Sequence, residues 1–261
     1  MKIKTKEIIL LIFLILLILT INYGFIDKKL ENFLLDYEIV IVERVIDGDT
    51  VVSGNNSIRL LGINSPERGE KYYDEAKEFM EKEILNKTVR LEFGKEKYDR
   101  YKRTLAYLYI NKENINLKLV EKGLANFYFP SGKDMHYDDF ENAWNKCIEN
   151  NLNLCESSVN KCSQCVELRE LSVDNQQVIL YNKCSFECVL TNWNIKDEGR
   201  KKFIFPEFTL QQNKQVYILI GEGENTKNTL FWSDEDYVWT RTGDSLFLRD
   251  EEGRLVLWKS Y

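Results

Sequence analysis

The chain has 261 residues, 44% of them hydrophobic and 30% charged, which is the composition of a folded protein with one or two domains. Its formal net charge is −6, so overall positive charge cannot drive nonspecific binding to nucleic acid. His136 is the single histidine, which excludes multi-histidine metal sites. A site for a polyanion would therefore need a metal ion and locally clustered arginines.

The N-terminus is predicted to be a membrane anchor. Three lysines within the first six residues precede an uncharged run from Ile8 to Ile26, which is about long enough to span a bilayer. We predict an uncleaved single-pass anchor over residues 1–27 and a tether over 28–37. The leading lysines place the N-terminus in the cytoplasm and the rest of the chain outside it. Secretion after signal cleavage is the alternative, although the run exceeds the usual signal core and no small-x-small site follows it.

Residues 45–67 carry most of the functional signal. Two runs rich in Val, Ile and Leu, separated by a short polar turn, predict a β-hairpin. Ordinary turns alone would explain the Asp-Gly-Asp and Asn-Ser-Pro stretches. A functional site is favoured because one hairpin gathers carboxylates, an amide and an arginine at its strand ends. These residues are Asp47, Asp49, Arg59, Asn64, Ser65 and Glu67.

Further elements are predicted on both sides of this hairpin. Alternation predicts strands over Glu38–Arg44, Thr88–Phe93 and Leu105–Ile110. Helical periodicity predicts helices over 70–85, Asn116–Lys122 with Gly123 as a C-terminal cap, and Asp134–Asn150. About five strands with three helices suit a small closed barrel, and His136 is interpreted as structural.

Three motifs in this order resemble the staphylococcal nuclease (thermonuclease) family. The first is the turn Ile46–Thr50 followed by Arg59–Glu67, and the others are Asp99–Tyr107 and Leu119–Ala125. The resemblance implies an OB-fold, a five-stranded barrel with three helices, over residues 38–158, called here the nuclease-like region. It also implies hydrolysis of phosphodiester bonds in DNA or RNA, in single-stranded or unpaired regions.

The same resemblance implies one calcium ion. Asp49 and the side chain of Asn64 would be direct ligands, the backbone carbonyl of Ser65 a third, and Asp47 an outer contact. Asn64 departs from the family, which usually has aspartate there. Its amide oxygen can still coordinate, but with one formal charge fewer we expect weaker calcium binding.

Catalysis is assigned to three residues on the same basis. Glu67 would orient or deprotonate the attacking water, and Arg59 and Arg103 would bind phosphate oxygens through their guanidinium groups. The rival interpretations of these arginines are a surface ion pair for Arg59 and one more charge in a basic run for Arg103. A second hypothesis for the whole region is a nucleic-acid-binding barrel without catalysis.

Residues 159–261 show short strand-like runs and no long amphipathic helix, which is typical of a β-sandwich. The runs are Gln177–Leu180, Lys202–Phe205, Val216–Ile220, Ser245–Leu248 and Leu255–Trp258. Segments 182–197, 203–206, 230–232 and 243–250 resemble the lamin-tail domain, so we call this the lamin-tail-like region. The resemblance implies an immunoglobulin-like fold that binds an unknown partner, and surface attachment is a third functional hypothesis. Trp193, Trp232 and Trp239 are predicted to be core residues.

The six cysteines have two interpretations. Their positions are Cys147, Cys155, Cys162, Cys165, Cys184 and Cys188. The last four show spacings that a zinc site also uses, but a region outside the cytoplasm favours disulfides. We predict a Cys147–Cys155 bridge, and either two further bridges or one zinc site from the other four, with disulfides favoured.

Overall fold

The computed structural model describes residues 37–261, together with Phe13, Leu14, Leu17, Ile18, Thr20 and Asn22. Residues Ile39–Tyr261 form one compact unit. The predicted anchor and tether fall almost entirely outside the described residues, so both stay predictions. Within the described part of the chain, no helix is long and apolar enough to cross a membrane.

The nuclease-like region is mostly β-structure. Its strands are β1 (Tyr37–Ile41), β2 (Arg44–Val45), β3 (Thr50–Ser53), β4 (Asn56–Leu60), β5 (Gly62–Asn64), β6 (Thr88–Tyr98), β7 (Thr104–Ile110), β8 (Glu113–Asn114) and β9 (Asn126–Tyr128). Seven of them form one sheet in the order β1-β6-β7-β4-β3-β2, with β8 paired to β7. The β3–β4 hairpin is present as predicted, and β4 pairs in parallel with β7.

One correction concerns the end of the predicted hairpin. Its second run does not continue to Asn64 as one strand, because the chain leaves β4 and forms β5, which pairs with β9 in a separate two-stranded sheet. Asn64 lies opposite Asn126 in that sheet. The sequence does not show β2, β5, β8 or β9 as separate strands, since two or three residues are too few for alternation to be recognised.

Three helices pack on the sheet, close to their predicted positions. They are α1 (Tyr73–Ile84), α2 (Ile115–Glu121) and α3 (Tyr137–Glu149). α1 buries Ala76, Met80 and Ile84, which recur every four residues on one face. After α2, Gly123 has φ 63° and an added Cβ would lie 2.3 Å from the Leu152 carbonyl oxygen, so only glycine fits this cap.

His136 has a structural role. Its Nε2 lies 2.7 Å from Glu92 Oε1, and its ring packs edge-on against Tyr107 at 4.4 Å. These contacts join the start of α3 to β6 and β7, as the sequence interpretation expected.

The lamin-tail-like region consists of strands without an α-helix. They are β10 (Val166–Ser172), β11 (Gln177–Asn182), β12 (Cys188–Val189), β13 (Asn194–Lys196), β14 (Lys202–Ile204), β15 (Thr209–Leu210), β16 (Gln215–Ile220), β17 (Thr229–Trp232), β18 (Ser245–Arg249) and β19 (Leu255–Ser260). Two four-stranded sheets have the orders β10-β11-β16-β17 and β14-β13-β18-β19. Side chains of both sheets share one buried cluster, which includes all three predicted tryptophans.

Strand β18 is buried on both of its faces. Leu246 and Leu248 belong to the core of the lamin-tail-like region, whereas Phe247 belongs to the core of the nuclease-like region. Successive side chains of a strand point to opposite faces, so this sheet separates the two cores and contributes to each. The Phe247 and Trp144 rings lie 5.4 Å apart, nearly perpendicular.

All six cysteines form disulfides. Cys147–Cys155 joins α3 to the short 3-10 helix Asn153–Cys155, which is the predicted bridge. The other bridges are Cys162–Cys188 and Cys165–Cys184. No thiolate remains for the zinc site that was the alternative.

Candidate active site

The Asp-Gly-Asp turn between β2 and β3 places one carboxylate over the neighbouring loop. The Asp49 amide donates to Asp47 Oδ1 at 3.1 Å, which tightens the turn. A Cβ added at Gly48 would lie 2.7 Å from the Ser65 Cβ. The turn therefore needs glycine because it packs directly on the loop that follows β5.

Asp49 is the centre of the site and is 4% exposed. Its Oδ2 accepts hydrogen bonds from the Ser65 amide at 2.8 Å and from the Ser65 hydroxyl at 3.1 Å. Its Oδ1 accepts from the Thr50 hydroxyl at 3.0 Å and forms an ion pair with Arg59 Nε at 3.2 Å. The carboxylate thus connects the start of β3 with β4 and with the loop that follows β5.

Arg59 is buried, and most of its N–H groups donate hydrogen bonds to other groups of the protein. Its Nη1 donates to the carbonyls of Leu60 and Ile63 at 2.6 and 2.8 Å. Its Nη2 donates to Asn64 Oδ1 at 3.3 Å, and its Nε faces Asp49. Of the five N–H bonds of a guanidinium, these contacts leave one, so Arg59 chiefly fixes the positions of Asp49 and Asn64.

Asn64 connects the site to the lamin-tail-like region. Its Nδ2 donates to the backbone carbonyl of Gly199 at 2.7 Å and more weakly to that of Glu198 at 3.4 Å. An aspartate would direct a carboxylate oxygen at two carbonyl oxygens. The departure from the family pattern at this position therefore has a structural reason, because the second region requires a donor there.

Glu67 lies at the open edge of the site, with 46% of its side chain exposed. Its Oε1 lies 2.8 Å from Nε of Arg200, which belongs to the lamin-tail-like region. The Glu67 amide donates to Glu70 Oε2 at 3.0 Å. Burial alone would raise the pKa of Glu70, but Lys196 and Lys202 lower it to about 2. Ion pairs of Glu67 with Arg200, and of Glu70 with Lys196 and Lys202, thus hold the loop that carries Glu67 against the lamin-tail-like region.

Arg103 makes no contact with the other predicted site residues in the part of the chain that the structure describes. Its Nε forms an ion pair with Asp99 Oδ2 at 2.7 Å, and its amide donates to Asp99 Oδ1 at 2.9 Å. Among the described residues, its recorded contacts are with Asp99 and with the ring of Tyr101. Arg103 would have to exchange Asp99 for phosphate in order to bind substrate.

The donor set is compatible with a hard cation. Burial, and then the charge of Asp49, raise the pKa of Asp47, and a cation beside the two carboxylates would offset that repulsion. Oδ1 of Asn126, opposite Asn64, is buried without a hydrogen-bond partner. In the part of the chain that the structure describes, no group of three His, Cys, Asp or Glu side chains could hold a metal. A calcium site here would therefore depend on amide and carbonyl oxygens besides Asp49.

Comparison with known proteins gives the family. The model of the staphylococcal nuclease homologue family matches residues 57–157. The thermonuclease of Staphylococcus intermedius is 33% identical over 165 residues, which are 59% of this chain and 98% of that relative. The chain belongs to the staphylococcal nuclease family. Its enzyme class is accordingly that of the nucleases, which are hydrolases.

Two further relatives are matched over a smaller share of their own length. The thermonuclease of Staphylococcus hyicus is 40% identical over 104 residues, which are 62% of that relative. A Haemophilus influenzae protein described as an uncharacterized endonuclease is 38% identical over 101 residues, which are 56% of it. The Lamin Tail Domain model matches residues 163–261. Both resemblances drawn from the sequence are thus confirmed.

The sequence interpretation missed the contribution of residues 198–200. Glu198 and Gly199 accept hydrogen bonds from Asn64, and Arg200 pairs with Glu67. In sequence they belong to a charged turn in the second region. Nothing local distinguishes such a turn from a solvated one, so only the packing of the two regions reveals them.

Proposed function

We propose that the protein is a calcium-dependent nuclease that hydrolyses phosphodiester bonds of DNA or RNA, anchored to a membrane by residues 1–27 with the nuclease outside the cytoplasm. The observation that carries the enzymatic part is one hydrogen-bonded cluster of Asp49, Arg59, Asn64 and Ser65. The accessible carboxylate of Glu67 follows in the same loop. This is the arrangement that water activation beside a bound cation requires.

The residues have separate roles in this proposal. Phosphoryl transfer needs a water in line with the leaving oxygen and stabilisation of the charge on the phosphoryl oxygens. Glu67 is accessible enough to position that water and to accept its proton. Arg59 holds Asp49 and Asn64 in place and keeps one N–H for a phosphate oxygen. Arg103 would bind a second phosphate oxygen after leaving Asp99.

Calcium would be held by Asp49, by Asn64 Oδ1 through its second lone pair and by the Ser65 carbonyl, with Asp47 further out. A calcium ion bound there would supply positive charge for the phosphoryl oxygens. Arg59 orients the side-chain oxygens of Asp49 and Asn64, the two side-chain ligands, toward the same place. Because Asn64 carries no formal charge, calcium should bind more weakly than in a site with two aspartates, which suits an environment rich in calcium.

Placement outside the cytoplasm is supported by two independent features. Three lysines precede the uncharged run of residues 8–26, which favours a cytoplasmic N-terminus, and all six cysteines are paired in disulfides, which persist mainly in oxidising compartments. Protease digestion of intact cells tests the topology. Cleavage of residues 38–261 supports it, and full protection contradicts it.

The deciding experiment on function is incubation of the purified full chain with single-stranded DNA, with calcium and with a chelator. We expect cleavage only with calcium, and we expect Glu67→Gln to bind DNA without cutting it. Calcium-independent binding without cleavage by the unmodified chain would instead support the non-catalytic barrel.

A further inference from the structure

The turn over residues 197–200, between β13 and β14, lies against the active site. The Phe129 amide donates to Glu198 Oε1 at 3.2 Å, and Asn64 Nδ2 donates to the Gly199 carbonyl at 2.7 Å. The amide of Lys201, directly after the turn, donates to Asp197 Oδ1 at 2.9 Å. Contacts on both sides thus fix this turn to the nuclease-like region.

The sheet that carries this turn is anchored in the nuclease core. Phe247 of β18 packs on Trp144, and Trp258 of β19 lies 5.8 Å from Phe127, nearly perpendicular. Moving the sheet away from the nuclease-like region would expose these aromatic contacts to water, which is costly, and the hydrogen bonds of Glu198 and Gly199 hold the turn itself in place. The turn is therefore a fixed wall of the active site and is unsuited to act as a movable lid.

Arg200 is the arginine of this wall, and its guanidinium is accessible. Its side chain is 66% exposed, and its Nε binds Glu67 at 2.8 Å. Among the described residues, no hydrogen bond to its two terminal nitrogens is recorded. Arg59 is buried by comparison and donates to four protein groups, and Arg103 is bound to Asp99. Arg200 therefore offers the paired N–H donors that suit a phosphate group.

We propose that Arg200 is a substrate-binding residue of the nuclease, which binds a backbone phosphate of a single-stranded nucleic acid next to the phosphodiester bond that the water activated by Glu67 attacks. The lamin-tail-like region thereby supplies part of the substrate site. This inference rests on the proposed nuclease function. Arg200 would add a positive charge to the substrate site of a protein whose net charge is −6, and it lies outside the motifs of the nuclease-like region.

The test uses the full chain and the variants Arg200→Ala, Arg200→Lys and Arg169→Ala. Arg169 is the matched control, since it lies in the same region, is 51% exposed and forms an ion pair of 2.8 Å with Glu167. For Arg200→Ala we expect KM for single-stranded DNA to rise about fivefold, with kcat within about twofold of wild type. We also expect the slope of log(kcat/KM) against log salt to become shallower by about 0.7, the loss of one phosphate contact. Arg200→Lys should restore the slope but only part of KM, because lysine lacks the planar fork.

Two results would overturn the proposal. One is an Arg200→Ala variant whose KM and salt slope match those of Arg169→Ala. The other is a higher kcat with unchanged KM, which would make the Arg200–Glu67 pair inhibitory. If the wild-type chain shows no cleavage, the proposed function fails, and equilibrium binding of the same DNA then decides Arg200 separately. Binding that weakens about fivefold with the shallower slope would support the phosphate contact, and unchanged binding would refute it.

Discussion

The nuclease-like and lamin-tail-like regions differ in what they contribute to the same site. Every residue that the family motifs assign to catalysis or calcium lies between positions 47 and 103. The other region contributes a turn that contacts Asn64 and Glu67, and a strand whose Phe247 completes the nuclease core. Two families that are separate along the sequence therefore share packing and an active-site wall, so a sequence boundary need not be a structural boundary.

The carboxylates on the two sides of the site also differ. Asp49 forms an ion pair with Arg59, whereas Glu198 lies near the carboxylates of Asp197 and Asp244 in its own region. Burial, then the charge of Asp244, raise the pKa of Asp197 to about 7. Burial, Asp244 and Asp197 raise the pKa of Glu198 to about 8. One side stabilises negative charge and the other disfavours it.

The largest expected effect separates the chemical roles of the two sides. Glu67→Gln should lower kcat by roughly a thousandfold, because the amide cannot accept the proton of water. Glu198→Gln should lower kcat less than about tenfold, since the Glu198 side chain binds the Phe129 amide, and an amide oxygen can replace it. Steady-state kinetics at saturating calcium measure both. Equal decreases in kcat for the two variants would show that Glu67 and Glu198 do not differ in their chemical roles.

A second prediction tests the shared core. Phe247→Ala should reduce the free energy of unfolding by about 3–5 kcal/mol, the usual cost of removing a buried phenylalanine. Because Phe247 packs on Trp144, tryptophan fluorescence and near-UV circular dichroism should report the loss in one transition. Ile204→Ala, on exposed β14, is the control and should change stability by less than about 1 kcal/mol. If the nuclease-like region of Phe247→Ala unfolds at the same denaturant concentration as in the wild type, the result would contradict the shared core.

How far the sequence could predict this structure depends on how local each signal is. The Asp49 turn, helices α1 and α3 and the Cys147–Cys155 bridge follow from patterns within a few residues, and all are present. The short strands and the turn over 197–200 carry no periodic signal, and their positions depend on packing between distant segments. Burial of β18 on both faces was not predicted either, although five consecutive buried residues are compatible with it.

A third prediction uses the raised pKa of Glu198 in the folded protein. Between the unfolded pKa near 4.5 and the folded pKa of about 8, the folded state retains a proton that the unfolded state has lost. Stability therefore falls as pH rises through this window. Replacing the carboxyl by the neutral amide in Glu198→Gln should add on the order of 2 kcal/mol at pH 8.5 and almost nothing at pH 4.5. Denaturant unfolding at both pH values measures it, and an equal gain at both would show that Glu198 titrates normally.

The last prediction concerns Asn64, where the requirements of the two regions conflict. Asn64→Asp adds a negative charge beside the proposed calcium, so the calcium concentration for half-maximal cleavage should fall by roughly tenfold. The same change removes the donor to the Gly199 carbonyl and faces a carboxylate with two carbonyl oxygens. Without calcium, the free energy of unfolding should fall by about 1.5 kcal/mol.

Asn64→Ala separates these two effects because it removes the interdomain donor without adding charge. It should lose a similar amount of stability but need more calcium than wild type. Calcium titrations of cleavage and of unfolding, at one ionic strength, place the three proteins on both scales. If Asn64→Asp gains calcium affinity at no cost in apo stability, the contact with Gly199 contributes nothing, and the lamin-tail-like region does not explain the asparagine. If all three share one calcium midpoint, Asn64 is not a ligand, and its amide serves to bind Arg59 and to join the two regions.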